Sequence, residues 1–155
     1  GIRFSKNSYG HGTHLRGQYS NIYFDGSVHG LLVEGTVTAS LSFQATNVVA
    51  YGTWPNNTTG IPFRISGNNC RIYIDSLEAS NCAQYAVLIE GTGNIVTINA
   101  LRCDGWNLSN GAYPAMWVGT GNTLYLGSEP ILENGNGAAV RGGGGTITKP
   151  VTVAL

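Results

Sequence analysis

A short apolar segment ending in glycine recurs six times along this chain. The copies are His14-Leu-Arg-Gly17, Leu31-Leu-Val-Glu-Gly35, Phe63-Arg-Ile-Ser-Gly67, Val87-Leu-Ile-Glu-Gly91, Ala115-Met-Trp-Val-Gly119 and Ala138-Ala-Val-Arg-Gly142. The anchor glycines are 18, 32, 24, 28 and 23 residues apart, a mean of 25, which lies in the range of solenoid repeats. Unequal spacing then means loops of unequal size leaving a regular stack.

A second apolar pair follows most anchors at offsets of five and seven: Ile22 and Phe24, Ile72 and Ile74, Val96 and Ile98, Leu124 and Leu126, with Leu41 and Phe43 one residue late. Period-two alternation marks a strand with one buried face. The turns between the two strands read Gly91-Thr-Gly-Asn94 and Gly119-Thr-Gly-Asn122, and a third strand follows at Val48-Val49, Leu77-Glu78-Ala79, Leu101-Arg102-Cys103 and Ile131-Leu132. Three short strands per repeat without helical periodicity predict an all-β fold, a right-handed single-stranded parallel β-helix of about six coils. An antiparallel sandwich also has many short strands, but it does not explain a constant order of strand, glycine and strand.

The chain of 155 residues is read as one domain: a lead-in over 1–12, coils over 13–148, and a terminal stretch over 149–155, where Lys149-Pro150 ends the regular ladder. Its start at Gly1, directly before patterned sequence, suggests a piece of a longer polypeptide. Only 10% of residues are charged, and eight basic residues balance eight acidic ones, so the footprint of a nucleic-acid binder is missing. Apolar runs such as Tyr85–Ile89 are too short to cross a bilayer. Cys70, Cys82 and Cys103 follow no metal-binding spacing and read as buried thiols. His11 and His14 lack an acidic or thiol companion, so neither a metal nor a cofactor is expected.

Aligned repeats stack residues into columns. With Leu15, Val33, Ile65, Ile89, Trp117 and Val140 turned inward, Leu32, Leu88, Met116 and Val118 turn outward and need cover, which marks a self-association face. The outward column of the second strand runs Tyr23, Ser42, Tyr73, Thr97, Tyr125, Thr148. It reads as cross-coil packing or as a platform for sugar rings. Glu78, Arg102 and Glu133 share another column, as a salt-bridge ladder.

These coils resemble bacteriophage tailspike and tail-appendage proteins and the wider pectate-lyase-like β-helix superfamily, over essentially Thr13 to Thr148. The resemblance implies a homotrimer in the virion tail that binds bacterial surface polysaccharide. Relatives of that kind often cleave the polymer with carboxylate pairs. Calcium-dependent lyases cluster Asp on one strand face, whereas the matched positions here are Asp25, Gln44, Asp75 and Asn99, which speaks against that chemistry.

Long loops at the third corner carry Trp54 and Trp106, expected to offer indole faces to sugars, with Asp104, Asn57, Asn107 and Asn110 for hydroxyls; Tyr73 and Tyr125 of the outward column are further candidate sugar contacts. Glu78 and Asp104 are the candidate acid pair for glycoside hydrolysis. The expected function is adhesion to host-surface glycan without membrane insertion or nucleic-acid binding. The alternatives are a polysaccharide depolymerase, hydrolase or lyase, and a purely structural trimeric shaft.

Overall fold

Strands that bury one face in a repeating order stack in parallel, each coil laying its strands on those of the coil before. The computed structural model of the chain describes residues 2–5, 16–25, 29–34, 42–51, 59–138 and 140–149. All regular structure there is β: β1 (Ile2–Ser5), β2 (Arg16–Asp25), β3 (His29–Glu34), β4 (Ser42–Tyr51), β5 (Ile61–Ile65), β6 (Arg71–Ser80), β7 (Val87–Ile89), β8 (Ile95–Asp104), β9 (Met116–Gly119), β10 (Thr123–Leu126), β11 (Ile131–Glu133), β12 (Val140–Gly143) and β13 (Thr146–Thr148). One sheet runs β1-β3-β5-β7-β9-β12. The other runs β2-β4-β6-β8-β10-β13, with β11 also paired to β8. Every pairing between these strands is parallel, so the chain is a parallel β-solenoid.

The second and third strand segments expected in each repeat are continuous in β6 and β8, with a bend inside each. Ile72 and Ile74 point inward, and then the inward positions shift by one to Leu77 and Ala79. Val96, Ile98, Leu101 and Cys103 repeat the shift one coil on. Two consecutive residues thus face outward at the bend, which turns one ribbon around two sides of the stack. In β2 and β4 the bend holds Asn21 and Asn47 with φ near +54° and +52°, and Asn47 Nδ2 donates to Asn21 Oδ1 at 3.0 Å. Asparagine tolerates this left-handed conformation better than most side chains.

The core is a set of rows, one residue from each coil. Phe63, Val87 and Met116 form one; Ile65, Ile89 and Val118 form another; Ile74 and Ile98 continue a third toward Leu126. At the corner between the sheets the row is polar. Asn94 Oδ1 accepts from the Cys70 N–H at 2.8 Å, and Asn122 Oδ1 accepts from the Asn94 N–H at 3.0 Å. The amide nitrogens donate to carbonyls of the same turns: Asn94 to Gly67 and Glu90, Asn122 to Gly91 and Gly119. Both side chains are buried, so the turn backbone finds partners that water cannot supply. Register aligns Cys70 with Asn94, so a thiol takes the asparagine's place one coil earlier.

Three sequence expectations are corrected. Met116 and Val118 do not face outward; register pairs them with Val87 and Ile89, both are fully buried in the core, and Trp117 occupies the outer face instead. The corners Gly91-Thr-Gly-Asn94 and Gly119-Thr-Gly-Asn122 align at an offset of 28, but the strands before them align at 29, so an alignment anchored on the glycines is one residue out in β9. Leu88 does lie opposite the inward Val87 and Ile89, yet it is 5% exposed and so is already covered. Its register neighbours are Arg64 and Trp117. Arg64 is ion-paired to Glu90 at 2.8 Å, and the Trp117 indole packs on Gly119 and Gly143. Of Leu32 only the backbone is described, in β3 beside β5.

The first coil also begins earlier than expected. Ile2–Ser5, within the expected lead-in, pairs with β3, while Arg16 and Gly17 start a strand of the second sheet. Ile22 therefore falls in the row of Val48 and Leu77 rather than that of Ile72.

Replacing Asn94 with alanine strands the Cys70 N–H and two carbonyls inside the corner, and should lower unfolding free energy in urea by about 2–3 kcal/mol. A loss below about 0.5 kcal/mol would remove the ladder from the account of stability. Burial pushes the Cys103 thiol up to about 12 and Cys82 well above its usual value, aided there by Cys103 and Asp104. Folding therefore favours the protonated thiols. Their stabilisation is complete below the unfolded value of 9.0 and is lost as pH rises toward 12. Native protein at pH 8 should leave both thiols unlabelled by a disulfide reagent, and rapid labelling of either would contradict their burial.

Candidate functional site

The outer side of the second sheet carries the polar and aromatic residues that the core excludes. Tyr73, Thr97, Tyr125 and Thr148 stand in one register column, as the sequence pattern predicts. Tyr23 does not belong to it. It pairs with Val49 and so lines up with Glu78, because β2 passes the bend before reaching it, while Ser42 pairs with Arg71 and Gln44 takes the place beside Tyr73. Asn99 Nδ2 donates to the Tyr73 hydroxyl and to Asp75 Oδ1, tying two coils together at the bend. Tyr125 remains 43% exposed.

Beside this column lies an open groove of about 200 Å³, lined by Ser76, Leu77, Glu78, Ala100, Leu101, Arg102, Ser128, Glu129 and Ile131. Its origin is a one-residue insertion. From Ile98 to Arg102 the chain advances four residues, but from Leu126 to their register partner Ile131 it advances five, through Gly127-Ser-Glu-Pro130. The extra residue breaks the ribbon into β10 and β11 and gives Ile131 the outward position held by Arg102 one coil earlier, so Ile131 is 54% exposed. Ser128 Oγ donates to the Asn99 carbonyl at 2.9 Å, and Lys149 Nζ donates to Glu129 Oε1 at 2.6 Å, which fix the inserted turn. Sequence reading missed Ser128, Glu129 and Ile131 as wall residues; the readable signal was Pro130, which cannot donate to a ladder.

The expected charge ladder is present in altered form. Glu78 pairs in register with Arg102, but Glu133 pairs with Asp104, so Arg102 reaches diagonally to Glu133 Oε2 at 3.3 Å. The Arg102 pKa is raised by that hydrogen bond and by the fields of Glu133, Glu78 and Asp104. Register puts Glu78 and Asp104 on one face as diagonal neighbours, roughly 7–8 Å apart at the backbone. Asp104 Oδ1 accepts from Asn134 Nδ2 at 2.8 Å and does not line the groove, whereas Glu78 does.

Trp106 departs from its expected role. Instead of offering a loop indole to solvent it is 5% exposed and belongs to the core cluster. Gly135 makes this possible, since a Cβ there would stand 2.1–2.3 Å from the indole ring atoms. Asn107 is likewise buried, with Nδ2 donating to the Gly111 and Asn136 carbonyls at 3.0 and 2.8 Å. Asn110, at φ +57°, is exposed and accepts weakly from Asn136 Nδ2. Trp54, Asn57, His11 and His14 lie outside the described residues. Among the described residues no group of three His, Cys, Asp or Glu side chains is placed to hold a metal ion.

No protein family, no curated protein and no solved structure matches this chain.

Surface ion pairs contribute little and core overlaps cost much, so two substitutions near this corner should separate cleanly. Arg102→Ala should leave the melting temperature essentially unchanged, and Gly135→Ala should destabilise by about 2–3 kcal/mol as Trp106 is displaced. Equal effects in calorimetry would contradict the placement of Trp106.

Proposed function

We propose that this chain is a β-solenoid segment of a bacteriophage tailspike or tail appendage, and that it adheres to host-surface glycan along the outer side of its second sheet. The observation that carries the reading is the open groove walled by Glu78, Arg102, Ser128 and Glu129, on the same sheet as the exposed ring of Tyr125. A sugar presents C–H faces and hydroxyl edges together. Tyrosine and Ile131 suit the faces, while carboxylates, a guanidinium and a hydroxyl suit the edges. Formal neutrality and alternating signs in the groove suit an uncharged polymer better than a nucleic acid. Homotrimerisation belongs to the same proposal through the resemblance of the repeats; the outward apolar column is no longer part of its support, because Met116 and Val118 lie in the core.

Cleavage is the second reading, favoured by the placement of Glu78 and Asp104 as diagonal neighbours on one face. Against it, Arg102 draws on Glu78, Asp104 and Glu133 together, the arrangement of a structural ladder. Binding is therefore the reading we adopt.

The chain should be retained on at least one member of a panel of bacterial surface polysaccharides without releasing reducing ends or unsaturated sugars. Tyr125→Ala should weaken that retention about tenfold or more, the scale of losing one stacked aromatic contact. Product release that stops in Glu78→Gln would establish the depolymerase instead. Retention on none of the panel would leave a structural shaft.

A further inference from the structure

Three Asn-Gly dipeptides come together at the far end of β11: Asn110-Gly111 in the loop that follows β8, and Asn134-Gly135 and Asn136-Gly137 in the turn that follows β11. Asn136 Nδ2 reaches Asn110 Oδ1 at 3.4 Å, which joins the loop to the turn. All three asparagines are exposed to water. Such a pair invites one reaction there: the glycine nitrogen, unhindered by a side chain, attacks the asparagine Cγ and closes a five-membered succinimide. None of the three glycine N–H groups donates a hydrogen bond among the described residues, so what separates the pairs is the state of each asparagine.

Asn110 and Asn134 are held in the left-handed conformation, at φ +57° and +55°. With ψ at roughly +47° in that region, the next nitrogen lies anti to Cβ, as far from the side chain as the backbone permits. Asn134 is also fastened by its 2.8 Å bond to Asp104 Oδ1, and Gly111 lies under the Tyr113 ring. Asn136 has neither restraint: its φ is not positive, and its amide makes only the long contact with Asn110. Its carbonyl differs too. Asn107 Nδ2 donates to the Asn136 oxygen at 2.8 Å, and that oxygen belongs to the peptide whose nitrogen is Gly137. Loss of the Gly137 proton places negative charge on this oxygen, so a buried donor already aimed at it stabilises the reactive anion. No hydrogen bond from the described residues reaches the carbonyl oxygen of Asn110 or Asn134.

We propose that Asn136 is a site of spontaneous deamidation selected by the fold, whatever the outer sheet binds. Hydroxide takes the Gly137 amide proton, the nitrogen bonds to Asn136 Cγ, and the Cγ–Nδ2 bond breaks, Nδ2 leaving as ammonia with a proton from water. Water then opens the ring. Breaking the bond from nitrogen to Cγ leaves aspartate, and breaking the bond to the α-carbonyl carbon leaves isoaspartate. In the isoaspartate the chain runs through Cβ, and the oxygen that accepted from Asn107 belongs to a free carboxylate. Either product adds one negative charge to a formally neutral chain, beside the buried Asn107.

Peptide mapping by mass spectrometry of the full chain, aged in mildly alkaline buffer both folded and in urea, tests this directly. In the folded chain Asn136 should convert about tenfold faster than Asn110 or Asn134, since each of those must first leave its conformation. The aged form should elute later from an anion exchanger and accept methyl groups from an isoaspartyl methyltransferase. In urea the three rates should converge, because the selection comes from the fold. Asn136→Gln, whose extra methylene would demand a six-membered ring, should abolish the fast release of ammonia from folded protein. Equal rates at the three sites in the folded chain, or faster conversion at Asn110 or Asn134, overturn the proposal. So does fast ammonia release that persists in Asn136→Gln, and so does an Asn136 that converts in urea but stays intact in the folded chain over the same time.

Discussion

No coil of this solenoid has a core of its own. Each inward side chain is half enclosed by its own coil and completed by the residue at the same register in the coils above and below, so Ile65 needs Ile89 and Ile89 needs Val118. Matching of rows is the constraint on which everything else depends. It explains the narrow choice of inward residues, and it explains why the polar corner is also a row. A lone asparagine buried in a turn would strand its amide, whereas Asn122 accepts from the Asn94 backbone, Asn94 accepts from that of Cys70, and both donate to the carbonyls of their turns.

The same constraint sends all variation outward. An inserted residue cannot enter a row without displacing every later one, so it must be absorbed at a corner or a bend. The extra residue in Gly127–Pro130 is absorbed there: Leu126 and Leu132 stay in their rows while Ile131 and Glu129 are pushed onto the surface. The groove is the space left where one coil carries a continuous bend and the next a broken one. A recess at the other end of β11, lined by Asn107, Tyr113, Pro114, Asn136 and Ala138, arises in a similar way, where the loop from Gly105 to Pro114 meets the shorter turn from Asn134 to Ala138.

The repeat, the three strand segments and their order along the chain were legible because period-two burial and turn glycines leave a direct mark on sequence. The columns were legible only where strand offset and corner offset agree. They agree between β6 and β8, and there Tyr73, Thr97, Glu78 and Arg102 were placed correctly. They differ by one at β9, and that single residue moved Met116 and Val118 from the core to an imagined surface. Trp106 was misplaced for another reason: what buries it is the missing side chain of Gly135, about thirty residues later, and no local pattern announces a cavity made by a distant glycine. The wall residues of the groove were missed because the insertion that exposes them is visible only once both neighbouring coils are in register.

On the proposed reading, this surface offers an extended polymer a groove of small polar steps on the same sheet as Tyr125. The central claim, proposed above, is that a glycan lies along the outer side of the second sheet at this groove. A crystal structure of the chain with the longest oligosaccharide it retains tests that most directly. The account predicts sugar density in the groove at Arg102 and Glu129, while an oligosaccharide held on the first sheet or at an end of the stack would contradict it.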